Sequence, residues 1–296
     1  MKSYTQMLNL LGNETGKNDS NGNLQTGLVS LFSQWLNDGI RLILGMPIAW
    51  KFLETSFTRT TTAGTGLYLF PYDYEKFIAI KIHVGSYDYT IKQIKNRDEW
   101  NRLTAVVIQS DYPQYYYLNN RSVEIFPVPA TTANTITIYY KKRVVDLQNA
   151  DYTTGTIAVT NNSTVVTGTG TTFTSAMVGR YIKVNADGNW YLITSFTSNT
   201  VLGIEQVYQG TTVSGAAYTI GEMSVLPENL DMLPVDYGKI QYWRQTNQLE
   251  RADKYEESFL RKIQELKDNN ILSSMDMGSA DKTRVYNPNF YPQNLT

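Results

Sequence analysis

RYIKVNADGNWYLITSF, residues Arg180 to Phe196, reads as two alternating apolar runs around an Asp187-Gly188 pair, the strongest hairpin signal in the chain. It lies within a longer stretch, residues 151–221, that carries only five charged side chains and sixteen threonines. Strand-like runs are predicted there at 155–161, 163–167, 181–184, 189–196, 200–202 and 217–220. Turns at Asn161-Asn162, Gly168-Thr169-Gly170, Asp187-Gly188 and Ser198-Asn199 separate them at the spacing of a small barrel or sandwich. From Leu226 to Asn270 the chain turns charge-dense and helical, so 151–221 reads as a β module inserted into an α-rich protein.

The flanks complete an α+β expectation. Tyr4 to Leu11 is a short amphipathic helix, and Gly12 to Asn23 is a polar linker with little to bury, expected to be mobile. From Thr26 to Leu44, apolar Leu28, Phe32, Trp35, Leu36 and Ile43 fall at helical spacing, and Pro47 stops the run. Between Trp50 and Leu147 the period changes to two. Strands are predicted at 50–60, 66–70, 78–84, 87–94, 122–126 and 135–141, with a helical turn at Arg97 to Leu103, giving a curled antiparallel sheet or sandwich. After Pro227 and Pro234, each suited to a first helical position, a nearly unbroken helix is predicted from Val235 to Asn269, about 50 Å at 1.5 Å per residue. Its stripe is Ile240, Trp243, Leu249, Ala252, Tyr255, Phe259, Ile263 and Leu266, and it should pack against the helix at 26–44. Gly238 within it predicts close approach by a neighbour. The domains are therefore a helical core with a β-sheet region (1–150 and 222–272), the inserted module (151–221) and an extended C-terminal arm (273–296). The arm's Val285, Tyr286, Phe290, Tyr291 and Leu295 are candidate partner-binding residues, because aromatics without a local core borrow a surface from another chain.

Charge and composition narrow the function classes. With 26 basic and 27 acidic side chains and no strongly basic window, phosphate neutralisation cannot be the main source of affinity for a partner. The 22 tyrosines suit broad, half-wet interfaces, since the ring buries apolar area while the hydroxyl stays hydrated. The absence of cysteine removes disulfides, thiolate nucleophiles and zinc-thiolate sites. Polar residues interrupt every apolar run before the ~20 residues of a membrane span, and Met1 to Thr5 begins no signal-peptide core, so a protein used without secretion or membrane contact is expected.

No constellation for catalysis stands out. His83, the single histidine, has no second imidazole or thiolate with which to hold a metal, and reads as structural. Gly64-Thr65-Gly66 and Gly168-Thr169-Gly170 lack the Lys-Ser/Thr and helix of a phosphate loop and read as turns. Spacing selects no pair among Asp73, Glu75, Asp88 and Asp111. Tyr112-Pro113-Gln114-Tyr115-Tyr116-Tyr117 reads as a packing cluster at a sheet edge rather than a stacking platform. No enzyme activity, cofactor or metal is implied.

Three segments resemble the head-to-tail adaptor (connector, head-completion) proteins of tailed bacteriophages. Ser110-Asp111-Tyr112-Pro113 precedes a tyrosine run, then Asn119 to Ala130 with Pro127-Val128-Pro129, then the alternating strand Ile136 to Lys141. Leu226-Pro227-Glu228-Asn229-Leu230 leads through Val235-Asp236-Tyr237 to Arg251-Ala252-Asp253-Lys254-Tyr255, similar to the family's closing helices. Phe173 to Ile182 is similar to a β module of many phage virion proteins. The resemblance implies a virion protein of the neck, assembled in the host cytoplasm. It implies a self-associating ring, typically twelve-fold, beneath the portal protein, with tail components (tube, nozzle or fibre) below and double-stranded DNA passing through the lumen. The insert and the long sheet region depart from the simplest adaptors. Two other classes stay open: a receptor- or glycan-binding tail protein, and a peptidoglycan-cleaving virion enzyme.

Overall fold

The computed structural model describes residues 1–46, 50–132 and 134–284. The protein is α+β, and its chain divides into two units, residues 1–49 with 146–296 and residues 50–145. Helix α1 (Tyr4–Glu14) starts in a capping box, with Ser3 Oγ accepting the Gln6 amide and Gln6 Oε1 accepting the Ser3 amide. The segment after it, expected as a mobile linker, is instead tied down by hydrogen bonds in place of an apolar core. Asn18 Nδ2 donates to Asn9 O at 2.8 Å, the Leu24 amide to Asn9 Oδ1 at 3.0 Å, and Asp19 Oδ1 accepts the amides of Asn21 and Asn23. Helix α2 (Val29–Leu44), entered through a 3-10 turn at Thr26–Leu28, buries Phe32, Trp35, Leu36, Ile40 and Ile43. It ends with the Gly45 amide donating to Arg41 O; Pro47 lies outside the described residues.

The unit of residues 50–145 contains β1 (Glu54–Thr60), β2 (Leu67–Leu69), β3 (Tyr74–Val84), β4 (Tyr87–Thr90), β5 (Lys92–Gln93), α3 (Arg97–Leu103), β6 (Tyr115–Leu118), β7 (Ser122–Phe126) and β8 (Thr135–Lys142). Two four-stranded sheets, β1-β8-β3-β4 and β2-β7-β6-β5, face each other across Tyr68, Ile80, Ile82, Tyr116, Val123, Ile125, Ile136 and Ile138. The expected sandwich is present, with one departure: β5 and β6 pair in parallel. The expected strand at 50–60 starts only at Glu54, because Lys51–Leu53 form a 3-10 turn.

Returning to the first unit, β9 (Thr156–Val159), β10 (Val165–Thr169), β11 (Tyr181–Val184), β12 (Tyr191–Ser198), β13 (Val201–Ile204), β14 (Val213–Ala216) and β15 (Tyr218–Gly221) form one sheet in the order β14-β9-β10-β13-β12-β11-β15. Its two edge strands are separated in sequence by Ala217 alone, so the sheet curls until its edges meet. Ile157, Val166, Ile182, Ile193, Leu202, Tyr218 and Ile220 fill the concave side. The Asp187-Gly188 turn joins β11 to β12 as expected: Gly188 has φ 84°, and Asp187 Oδ2 accepts the Tyr191 hydroxyl at 2.9 Å.

The chain closes with α4 (Leu233–Gln245) and α5 (Leu249–Arg284). Two expectations are corrected here. The helix predicted as nearly continuous from Val235 to Asn269 stops at Asn247, whose φ of 57° is left-handed. The Gln248 amide donates to Trp243 O and the Asn247 amide to Arg244 O, a Schellman termination with asparagine in the place usually held by glycine. Beyond this break α5 runs through Asn269-Asn270 to Arg284, so residues 273–284 are helical rather than extended. No glycine with positive φ or proline stands at that pair to enforce a stop. The expected packing of α2 on the closing helices is found at α4, where a Cβ on Gly39 would lie 3.1 Å from Pro234 Cα and Tyr237 Cβ. Gly238 admits Leu11 of α1, whose Cδ2 would stand 2.5 Å from an added Cβ.

Candidate partner-binding surfaces

The candidate residues Val285, Tyr286, Phe290, Tyr291 and Leu295 all lie outside the described residues. What the described chain shows is how the helix leading to them is held. Asp236, in the first turn of α4, is buried and accepts Lys239 Nζ at 2.7 Å and Lys262 Nζ of α5 at 2.6 Å. Lys239, also buried, sits 5.2 Å from the centroid of the Tyr255 ring, and Tyr237 packs on Phe259. One carboxylate thus clamps two cations from two helices, and the aromatic rings close around it.

A second polar node anchors the curled sheet. Ser3 Oγ donates to Asp151 Oδ2 at 2.8 Å, the Asp151 amide donates to Thr5 Oγ1, and the Tyr4 amide to Glu222 O. Arg180 Nη2 donates to Ala150 O at 2.7 Å and Ile220 O at 2.9 Å, and the Glu222 carboxylate accepts the amides of Gln148 and Asn149. Burial raises the Asp151 carboxyl above the usual range, with the Ser3 hydrogen bond opposing it, and lowers Arg180 from its ordinary value. Asp151 Oδ1 and Arg180 Nε, both buried, find no hydrogen-bond partner. Asn37 of α2 adds a two-way bond to the backbone of Leu147, accepting its amide at 2.9 Å and donating to its carbonyl at 3.0 Å.

The side chains weighed for chemistry are each committed elsewhere. His83 Nδ1 lies 2.8 Å from Asp88 Oδ1 on an exposed strand face, beside Lys81. The exposed Asp88 carboxyl is held below its usual range by its hydrogen bonds to Lys81 and His83. Asp73 Oδ1 accepts the Tyr140 hydroxyl, Glu75 pairs with Lys141, and Asp111 Oδ1 accepts the amide and hydroxyl of Thr131. Among the described residues no three or more His, Asp or Glu side chains gather as a metal set. Gly64 and Gly170 occupy positive-φ turns, at 73° and 68°, next to strands rather than opening helices.

The tyrosine run departs from its expected edge position, since β6 is an inner strand between β7 and β5. Tyr117 stacks on Trp100 at 5.7 Å, with Arg97 over its outer face at 4.9 Å. Glu124 gathers Arg97, Trp100 Nε1 and Asn119. Sequence reading passed over Val106, Val107 and Ile108, which follow α3 and are 69%, 77% and 49% exposed. Three successive β-branched residues outside any alternating run were the available signal. Among the described residues no helix is long and apolar enough to cross a membrane.

The model of one protein family, the SU10 adaptor protein, matches residues 2–165, from the start of α1 to the first residue of β10. That stretch contains the first of the three adaptor-like segments, at 110–141; the other two lie beyond it. No curated protein matches the chain.

Proposed function

Because the chain belongs to the SU10 adaptor protein family, we propose that it is a structural virion protein that joins a phage capsid to its tail, without enzymatic activity. The single observation that carries this reading is the match over more than half the chain, including all of the sandwich. In the proposed assembly, copies of the chain form a ring, typically twelve-fold, beneath the portal protein at the neck of the virion. Tail components attach below, and DNA crosses the lumen without sequence-specific contacts. The helices α1, α2, α4 and α5 form the adaptor core, and the curled sheet of residues 151–221 is a module mounted on it. The rigid, ion-clamped α4–α5 pair supports this reading, since it can present a segment at its far end to another chain. Val285, Tyr286, Phe290, Tyr291 and Leu295 are proposed as its anchors, and Pro288 and Pro292 favour an extended path that lowers the entropy lost on docking.

The test is a truncation. Deleting residues 285–296 leaves the melting temperature of the isolated chain unchanged and abolishes co-sedimentation with purified portal. A ring of full-length chain on the portal is expected in cryo-electron micrographs, while mass photometry of the chain alone shows monomer alongside larger rings. A truncated chain that still caps the portal overturns the anchor assignment. A stable trimer in place of a ring overturns the adaptor reading in favour of a receptor-binding tail protein.

A further inference from the structure

Strand β2 is an outer strand of its sheet, bonded only to β7. The Ile125 amide donates to Gly66 O and the Phe70 amide to Arg121 O, so residues 66, 68 and 70 turn their backbone groups toward β7. Leu67 and Leu69 therefore direct N–H and C=O away from the sheet. Tyr68 points into the core, whereas the Leu67 and Leu69 side chains are 49% and 58% exposed. An outer strand with apolar side chains and free backbone groups is a template for another strand; natural sheets blunt such strands by keeping them short, as β2 is at three residues, or shield them with charge, proline or a bulge. No charge, proline or bulge lies within β2.

The strand runs directly into a cleft of about 370 Å3 whose lining includes Leu69, Phe70, Tyr74, Arg121 and Arg143. Phe70 and Tyr74 stack at 4.0 Å, which gives the cleft one stiff apolar wall. Its two arginines stand outside any ion pair: the ion pairs of this unit use Lys81, His83, Arg97 and Lys141, and neither Arg121 nor Arg143 joins one among the described residues. The acidic residues nearest the two arginines in sequence, Glu124 and Asp146, pair with Arg97 and Arg41, and Asp73 accepts the Tyr140 hydroxyl. Two exposed guanidinium groups without carboxylates are suited to bidentate recognition of an incoming one.

We infer that β2 and the Arg121–Arg143 cleft form a docking site for an extended, acidic segment of a partner protein. The segment adds a strand beside Leu67 and Leu69 and places a carboxylate between the arginines. Backbone pairing supplies register, the leucines contact alternate apolar side chains, and the arginines select for negative charge. A duplex is too broad to enter a cleft of this volume, and the free edge presents alternating N–H and C=O groups, a row that a strand matches in full while a phosphate backbone uses only its donors, so a peptide is favoured over DNA. The inference does not depend on the adaptor reading, because it concerns the isolated chain.

The test is fluorescence anisotropy on the full chain with a short labelled peptide of alternating valine and glutamate. The same peptide with glutamine for glutamate, and a labelled single-stranded oligonucleotide, serve as comparisons. The glutamate peptide is expected to bind, and the glutamine peptide to bind at least about tenfold more weakly, the loss of one well-made charged contact. R121A/R143A removes that preference, while R121E/R143E transfers it to a valine–lysine peptide. Leu69→Pro deletes one outward N–H without touching the bonds to β7, and weakens binding with the circular dichroism spectrum unchanged. Failure of the glutamate peptide to bind, equal binding of the two peptides, or tighter binding of the oligonucleotide through the same arginines each overturns the inference.

Discussion

Tyr89 carries a buried hydroxyl with no hydrogen-bond partner, and burial, with Tyr112 and Asp111 adding smaller effects, pushes its pKa up to about 12. A desolvated group without a partner costs stability, so Tyr89→Phe is expected to raise the unfolding free energy by about 1 kcal/mol in urea titrations; a fall would show that the hydroxyl has a partner. Asp151 poses the opposite question, because its unpaired oxygen belongs to a carboxylate that also holds Ser3. Its folded pKa is raised, so between the ordinary carboxylate value and the raised one the native state binds more protons than the unfolded chain. The contribution of Asp151 to stability is therefore greatest at low pH and falls as pH rises through that window. Asp151→Asn keeps an acceptor for Ser3 and removes the titration. The difference in urea midpoint between Asp151→Asn and the parent should grow in favour of the variant as pH rises across the carboxylate range. An unchanging difference would place the desolvation elsewhere. Neither residue announces itself in sequence, since burial of one oxygen depends on contacts brought together from distant segments.

Helices and strands with strong local signals were legible. Asn96 accepts the Asp98 amide as N-cap and opens α3 where Arg97-Asp98-Glu99 marked a start, and Asp187-Gly188 turned the chain at the expected place. Elements without such signals were not. Tyr115–Leu118 is apolar at every position and so hides β6 from a test based on alternation, while Val213–Ala216 is short and includes Gly215 at φ 69°. The break at Asn247 was hidden for a related reason: asparagine is a weaker helix terminator than glycine, and its left-handed conformation is secured by two carbonyls of the preceding turn. That break allows α5 to fold back on α4 and creates the Asp236 clamp, which joins Lys262 to a carboxylate 26 residues away and so leaves no local signal in the sequence. Asp236→Ala leaves the buried Lys239 with only the longer contact to Glu14 at 3.9 Å and is expected to destabilise the protein by about 3 kcal/mol. The double variant Asp236→Leu/Lys239→Met should recover most of that loss, because an apolar pair of similar size carries no desolvation penalty. If the double variant is as unstable as the single one, the clamp is not electrostatic and the packing of α4 on α5 rests on Tyr237 and Phe259 instead.

Composition marks residues 151–221 as an inserted module, whereas the structure divides the chain into residues 1–49 with 146–296 and residues 50–145, so the module's independence is an expectation to be tested. Its core, from Ile157 to Ile220, is drawn entirely from residues within 151–221. Entry and exit are neighbours: Tyr152 bridges Ile220 with reciprocal backbone hydrogen bonds of 2.9 and 2.8 Å, so a linker of a few residues can close the gap left by excision. The hydrogen-bonded ties across that junction are Ser3 to Asp151, the Asp151 amide to Thr5, and Arg180 to Ala150 O. Polar ties of this kind contribute about 1 kcal/mol each, little beside the apolar burial within the curled sheet. Replacing residues 151–221 by a short glycine-serine linker is therefore expected to leave a protein that melts in one cooperative transition, and the excised segment should melt cooperatively on its own. Calorimetry of both pieces decides it. Should neither piece show a transition, the helices and the curled sheet share one folding unit.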